Sequence, residues 1–257
     1  MVEQHMESTH LYLIRHGESF SNADQHAPLA GIRGDLGLTP RGKLQAERLR
    51  DRLTATGEIK ANVLIASTLP RARQTAETIA PALNLPIIWD DEVQEMRVGD
   101  FDGMPWSEIK ERVPDFRRDP FHPFAPGGEN WPQFVLRVGT ALDRIAHEHT
   151  GKTTVIVCHG GVIDASLVVF FRLSSLRLPP VEFHTHNTSI THWERRDEPA
   201  PGGQMGGEWP RWRLLAYNDD LHIRDLDAVE RIQWPRLKAE PEGGLERLSV
   251  PLPTEEE

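Results

Sequence analysis

Cysteine is nearly absent from this chain. Cys158 is the single one among 257 residues, which excludes an internal disulfide and points to a reducing setting. A long hydrophobic run is also missing: the longest apolar stretch, Gly161 to Leu173, is interrupted by Asp164. It falls short of the roughly 20 residues a helix needs to cross a bilayer, so no membrane span is expected. The opening MVEQHMESTH carries neither the basic nor the apolar segment of a secretory signal, and a cytoplasmic location is the expectation. Positive charge is in deficit, with 29 Lys and Arg against 39 Asp and Glu and a net charge of −10. That balance repels nucleic acid and anionic lipid, so neither is expected as a partner, and an anionic ligand must be held by a local cluster of Arg and His.

What is present suits one generous α/β domain. Residues are 38% hydrophobic and 26% charged, enough aliphatic material to pack a sheet between helices. Four short aliphatic runs read as buried strands: Leu11 to Ile14, Val63 to Ala66, Pro86 to Trp89 and Thr153 to Cys158. Helical patterns lie between them. Thr39-Pro40 makes an N-cap and first helical position, with Leu49 and Leu53 following at helical spacing until Gly57. A second helix is expected from about Thr68 to about Pro81. A third opens at Pro132, with Phe134, Val135, Val138, Ala141, Leu142, Ile145 and Ala146 on one face and charge on the other. Alternating strands and helices predict a three-layer α/β/α sandwich on a mostly parallel sheet. Thr188 to Glu194 and Trp212 to Tyr217, joined by a Pro/Gly-rich stretch, would add an antiparallel pair at its edge. The expected organisation is a disordered segment 1–8, a domain over 9–233 with a lid-like insertion at about 104–130 and a flexible hairpin at about 196–210, and a disordered Pro/Glu-rich tail over 234–257.

In open α/β sheets the ligand crevice lies outside the carboxyl ends of the strands. The polar residues just past those ends are Arg15 and His16, then Ser67 to Arg71, then Glu95, then His159-Gly160-Gly161. Two guanidinium forks can grip phosphoryl oxygens while one imidazole attacks phosphorus and the other stabilises charge. Glu95 is the candidate acid and base, since a carboxyl facing a bound phosphate dianion is favoured in its protonated form.

The run Leu13-Ile14-Arg15-His16-Gly17-Glu18-Ser19 resembles the signature of the histidine phosphatase superfamily, in its phosphoglycerate-mutase-like branch. Matching segments follow in order: Asn22, Leu38 to Gly42, Ser67 to Ala76, Glu95 with Gly99 and Gly103, Gly127-Gly128-Glu129, His159-Gly160-Gly161, Asn187-Thr188-Ser189 and Asn218 to His222. They span residues 9 to 223 and are far more specific together than one tripeptide. The resemblance implies a phosphoglycerate-mutase-like fold and a metal-independent enzyme without cofactor. In it His16 is the phosphorylated nucleophile, and Arg15, Arg71 and His159 bind the phosphoryl group. Asn22 assists by hydrogen bonding, Gly160 offers a backbone N–H, and Glu95 serves as general acid and then base. Hydrolysis of small phosphate monoesters is the expected activity, because Met96 to Gly103 looks like the phosphatase branch and lacks the Arg-His-Tyr-Gly tract typical of the mutases. A mutase and a non-catalytic phospho-ligand module are the alternatives.

Each residue has a plainer competitor. Arg71 could be an exposed helix residue, as Arg73 is expected to be, and Glu95 competes with Asp90, Asp91 and Glu92, which lack its glycines at +4 and +8. Cys158 neighbours His159, but consecutive strand residues face opposite ways, so a small core residue is expected rather than a Cys-His pair. His184, His186 and His192 share parity along a strand and raise a metal site, against which stands the want of a further ligand at suitable spacing; rim histidines are the expectation. Trp106, Phe116, Phe121 and Phe124 would give the pocket apolar character if their segment is a lid. Oligomeric state stays open, with a homodimer among the options.

Overall fold

A computed structural model describes residues 8–23, 28, 31–198 and 209–227. What was expected of residues 1–7, 199–208 and 228–257 lies outside the described residues. The chain divides into two units after Arg224; the first carries everything below, and the described part of the second is residues 225–227, which are helical.

The aliphatic runs become strands β1 (Thr9–Arg15), β2 (Val63–Ala66), β3 (Ile87–Trp89) and β4 (Thr153–Cys158), followed by β5 (Ile190–Glu198) and β6 (Trp209–Asp219). They form one sheet in the order β3-β2-β4-β1-β5-β6. β1, β2, β3 and β4 pair in parallel, β5 runs antiparallel to β1, and β6 antiparallel to β5. The expected edge pair is therefore present. β5 starts two residues later than its composition suggests because Thr188 takes a left-handed φ of 56° and gives its N–H to the Arg15 carbonyl at 3.0 Å.

Helices α1 (Phe20–Ala23), α2 (Pro40–Thr56), α3 (Pro70–Leu83), α4 (Trp106–Ile109), α5 (Trp131–Glu148) and α6 (Gly160–Phe170) complete the unit. Thr39 caps α2 by accepting from the Gly42 N–H, and Gly57 closes it in the left-handed region. Asn130 and Gln133 form a capping box at α5. α3 runs past Pro81 to Leu83: a proline this close to the end forfeits one backbone bond, and Asn84 closes the turn at φ 53°.

Alternation along each strand divides the core in two. Leu11 and Leu13 of β1, Ile65 of β2 and Ile156 and Cys158 of β4 pack on α5 and α6. Ile14, Leu64, Ala66, Val155 and Val157 face α2 and α3 on the other side. This is the three-layer α/β/α sandwich. Cys158 is free and buried, a core residue as expected. Among the described residues no helix is long and apolar enough to cross a membrane.

Candidate active site

Parallel pairing of β1 with β4 sets Arg15 opposite Cys158, and the His16 N–H donates to the Cys158 carbonyl at 3.0 Å. The two His-Gly turns thereby leave the sheet side by side, and the His16 and His159 rings lie 5.1 Å apart, both buried. Asn187 closes the turn from the other flank, its Nδ2 donating to the His16 carbonyl at 3.0 Å. Gly17 is required by space: a Cβ there would stand 2.4 Å from the carbonyl oxygen of Gly42, where the start of α2 presses on the turn.

Hydrogen bonding fixes the His16 proton. Its Nδ1 lies 2.7 Å from the Gly17 carbonyl, which can only accept, and its Nε2 lies 3.1 Å from Arg71 Nε, which can only donate. The proton therefore sits on Nδ1 and the lone pair on Nε2. Burial first, and then the charges of Arg71 and Arg15, hold the imidazole well below the ordinary histidine range, so it is neutral near pH 7. His159 is likewise held low by burial and by the same cations. Its Nε2 meets the Ser67 hydroxyl at 2.8 Å, while its Nδ1 is buried without a hydrogen bond among the described residues. With Ser67 as donor, Nδ1 carries the proton of the neutral ring.

Arg15 gives Nη1 to the Thr185 carbonyl and leaves a buried Nε without a hydrogen bond among the described residues. Glu95 comes in from the loop after β3 and is held by two backbone donors, the Met96 N–H at 2.9 Å and the Gly161 N–H at 3.1 Å. Only glycine fits at 161, since a Cβ would lie 2.2 Å from Glu95 Oε1 and 3.1 Å from the Phe134 ring. Arg15, His16, Asn22, Arg71, Glu95 and Gly160 line one cavity of about 500 Å³, and His159, outside that lining, is fully buried against His16. All seven expected residues are thus brought together. Of the four aromatics expected in a lid, Phe124 lines the cavity, whereas Phe121 is well exposed. Two of the three histidines of shared parity meet and the third does not: His184 and His186 precede β5 with their rings 4.8 Å apart, His184 lining the cavity and His186 pairing with Asp220 at 2.7 Å, whereas His192 lies on β5 and bonds His10 at 3.0 Å.

A cavity with a neutral imidazole lone pair, two guanidinium groups and a carboxyl, backed by a second buried imidazole, is equipped for nucleophilic attack on phosphorus. The family model of the histidine phosphatase superfamily (branch 1) matches residues 11–200. The chain belongs to that superfamily. It is similar to the metal-independent phosphoserine phosphatase of Arabidopsis thaliana, 32% identical over 90% of this chain and 90% of the relative. To phosphoserine phosphatase 1 of Hydrogenobacter thermophilus it is 35% identical over 72% of this chain and 87% of that one. Among solved structures, YhfR of Bacillus stearothermophilus superimposes with a TM-score of 0.65 at 29% identity, over 84% of this chain and 99% of that chain.

Several residues of this histidine phosphatase site have no counterpart in the sequence expectations. Asp35 binds Arg71 Nη1 at 2.7 Å with both side chains buried, so the guanidinium that touches His16 is anchored from behind. Arg137 of α5 grips Glu129 with two bonds of 2.7 Å and donates to the carbonyls of Glu92, Gln94 and Glu95. Glu129 in turn accepts the Arg97 N–H. This clamp holds the loop that carries Glu95. A charged residue on the apolar face of α5 was the available signal, as Asp164 was within the apolar stretch of α6.

Proposed function

We propose that this enzyme hydrolyses small-molecule phosphate monoesters through a phosphohistidine on His16. The observation that carries the proposal is the fixed tautomer: Nε2, the atom with the free electron pair, faces the cavity beside Arg71, and Nδ1–H is anchored on Gly17. In the first step Nε2 bonds to phosphorus as the ester P–O bond breaks, and Glu95 delivers its proton to the departing alkoxide. In the second, Glu95 takes a proton from water as the oxygen attacks phosphorus and the P–N bond breaks, regenerating the imidazole and releasing phosphate. The Gly17 carbonyl steadies the positive charge that the ring carries while phosphorylated. Arg71 trades its bond to Nε2 for a phosphoryl oxygen, and Arg15 and the Nδ1 side of His159 take the others. Two relatives named phosphoserine phosphatases, one of them metal-independent, support hydrolysis and a reaction indifferent to chelators. We place the segment 104–130 over the leaving-group end, which Phe124 lines, and the protein in a reducing cytoplasm, where the single buried thiol needs no partner.

The test is turnover of p-nitrophenyl phosphate and phosphoserine with rapid quenching in alkali, where phosphohistidine survives. Wild type should release phosphate in the presence of EDTA and trap label on one histidine. His16→Ala should lose the label and at least about 10³-fold in kcat. Label retained in that variant would sink the proposal, and phosphoryl return to 3-phosphoglycerate only when a bisphosphate is supplied would make the enzyme a mutase.

A further inference from the structure

Asp164 takes no part in the chemistry proposed above, yet its side chain lines the same cavity. It stands on α6 one turn beyond Gly160 and Gly161, on the face that presents Gly160 to Arg15 and the Gly161 N–H to Glu95. Its Oδ1 is buried and accepts no hydrogen bond among the described residues. A carboxylate stripped of water without a compensating partner is costly in a folded chain. The charged and titratable groups around it are Glu95 from the loop after β3, Arg15 from the end of β1, Tyr217 from β6 and, in the same cavity lining, His184 from the segment before β5. Arg15 is the one fixed cation among them, and it is committed to the phosphoryl group in the mechanism. Arg15 and Arg71 bring positive charge to the cavity, and Glu95 and Asp164 bring negative charge, with Phe124, Trp131, Phe134, Phe183 and His184 also in its lining. Because Glu95 serves the leaving oxygen in the proposed mechanism, Asp164 beside it belongs to the leaving-group end and Arg71 to the phosphoryl end.

The geometry points to Asp164 as a specificity-determining residue: its carboxylate and the surrounding aromatic side chains form a subsite for an ammonium group carried by the leaving alcohol. The substrate class is a zwitterionic phosphomonoester whose alcohol is an amino- or quaternary-ammonium alcohol. A hydroxyl in that place would satisfy one oxygen but leave the charge uncompensated, whereas an ammonium supplies the opposite charge, and its methylene or methyl groups suit aromatic walls. The inference rests on the phosphohistidine mechanism for its two ends.

A matched pair of esters isolates the charge: phosphocholine and its carbon isostere, 3,3-dimethylbutyl phosphate. Wild type should prefer phosphocholine in kcat/KM by roughly tenfold to a hundredfold, the worth of a hydrogen-bonded or paired charge. Asp164→Asn should collapse that ratio, with kcat/KM falling on phosphocholine and rising on the isostere, whose apolar group no longer strips water from a carboxylate. The wild-type preference should also grow with pH as Asp164 ionises, a trend absent from the variant. Equal loss on both esters would overturn the inference by giving Asp164 a general-acid or structural role, and so would an unchanged ratio. Turnover of p-nitrophenyl phosphate reports separately on the mechanism. The ratio of dissociation constants for the two esters on His16→Ala protein, with and without Asp164→Asn, tests the subsite even if no ester is turned over; equal binding of both would overturn it.

Discussion

The two ends of the cavity are built by different means. The phosphoryl end sits on the sheet: Arg15, His16 and His159 leave the ends of adjacent parallel strands, and Arg71 stands in the first turn of α3, backed by Asp35. Its imidazoles are buried and held neutral by their surroundings. The proposed leaving-group end stands off the sheet and mixes loops with helices: Glu95 and Phe124 are carried by connecting segments, while Asp164 stands on α6 and Trp131 and Phe134 on α5. In the proposed mechanism, chemistry common to every phosphate ester is thus placed at the strand ends. The part that would distinguish one alcohol from another is placed on the loops and helices that cover them.

The sharpest way to test this division is to remove the acid and leave the nucleophile. Glu95→Gln keeps the shape and both backbone contacts through its carbonyl oxygen only in part, and it has no proton to deliver. kcat on alkyl phosphates should fall by about 10²–10⁴-fold. On p-nitrophenyl phosphate, whose leaving group departs without protonation, the first step should be largely spared and phosphohistidine should accumulate, visible as a burst of p-nitrophenol. Equal loss on both substrates, with no burst, would mean that Glu95 is part of the phosphoryl end and that the two ends are not separable.

The next effect concerns the clamp. Arg137 is 8% exposed and is the one link on α5 that ties Glu129 to the three carbonyls before and at Glu95. Arg137→Met keeps the aliphatic volume but leaves the Glu129 carboxylate without its cation, which should cost about 3–5 kcal/mol of stability. Because the clamp serves only the leaving-group loop, the surviving folded enzyme should still form phosphohistidine from p-nitrophenyl phosphate while losing kcat on alkyl esters. Denaturant unfolding and the burst assay check the two parts. A variant that loses the burst as well would show the clamp supporting the whole cavity.

The same division decides what could be seen in the sequence. The sheet, its two helical layers and the antiparallel edge were legible because strands with alternating cores and capped helices follow from local pattern: Thr39-Pro40 and Gly57 each mark a boundary that the structure keeps. Arg15, His16, Arg71 and His159 were legible because they sit at fixed offsets from strand ends. Asp35 was not, since an acid in a loop between β1 and α2 has no periodicity to set it apart, and its partner Arg71 lies 36 residues away. Arg137 and Asp164 left a trace only as charges within apolar faces, a signal that says a group is buried without saying what it meets. His184, His186 and His192 were expected as rim histidines, and His184 does line the cavity; the strand parity that linked all three does not hold, because Thr188, with its left-handed φ, delays β5 until after His184 and His186.

The smallest effect is on stability and falls on Asp164. Burial, and then the neighbouring Glu95 charge, push its carboxyl from the ordinary 3.8 up to about 7, with Arg15 acting the other way. Between those values the folded protein binds a proton that the unfolded chain has already released, so this group makes stability fall as pH rises from about 4 to about 7. Above that window the penalty is complete and flat. Asp164→Asn cannot ionise and escapes it, so its stability advantage over wild type should be absent near pH 4, grow across the window and level off above pH 7, at no more than about 4 kcal/mol. Paired denaturant titrations at pH 4.5, 6 and 8 measure the difference directly. If the two proteins keep a constant gap across that range, Asp164 is solvated well enough to ionise freely, and the contrast between a positive and a negative end of the cavity loses its strongest member. If the gap opens as described, adding phosphocholine at pH 8 should close it, because an ammonium beside the carboxylate restores to wild type the charge partner that the empty cavity withholds.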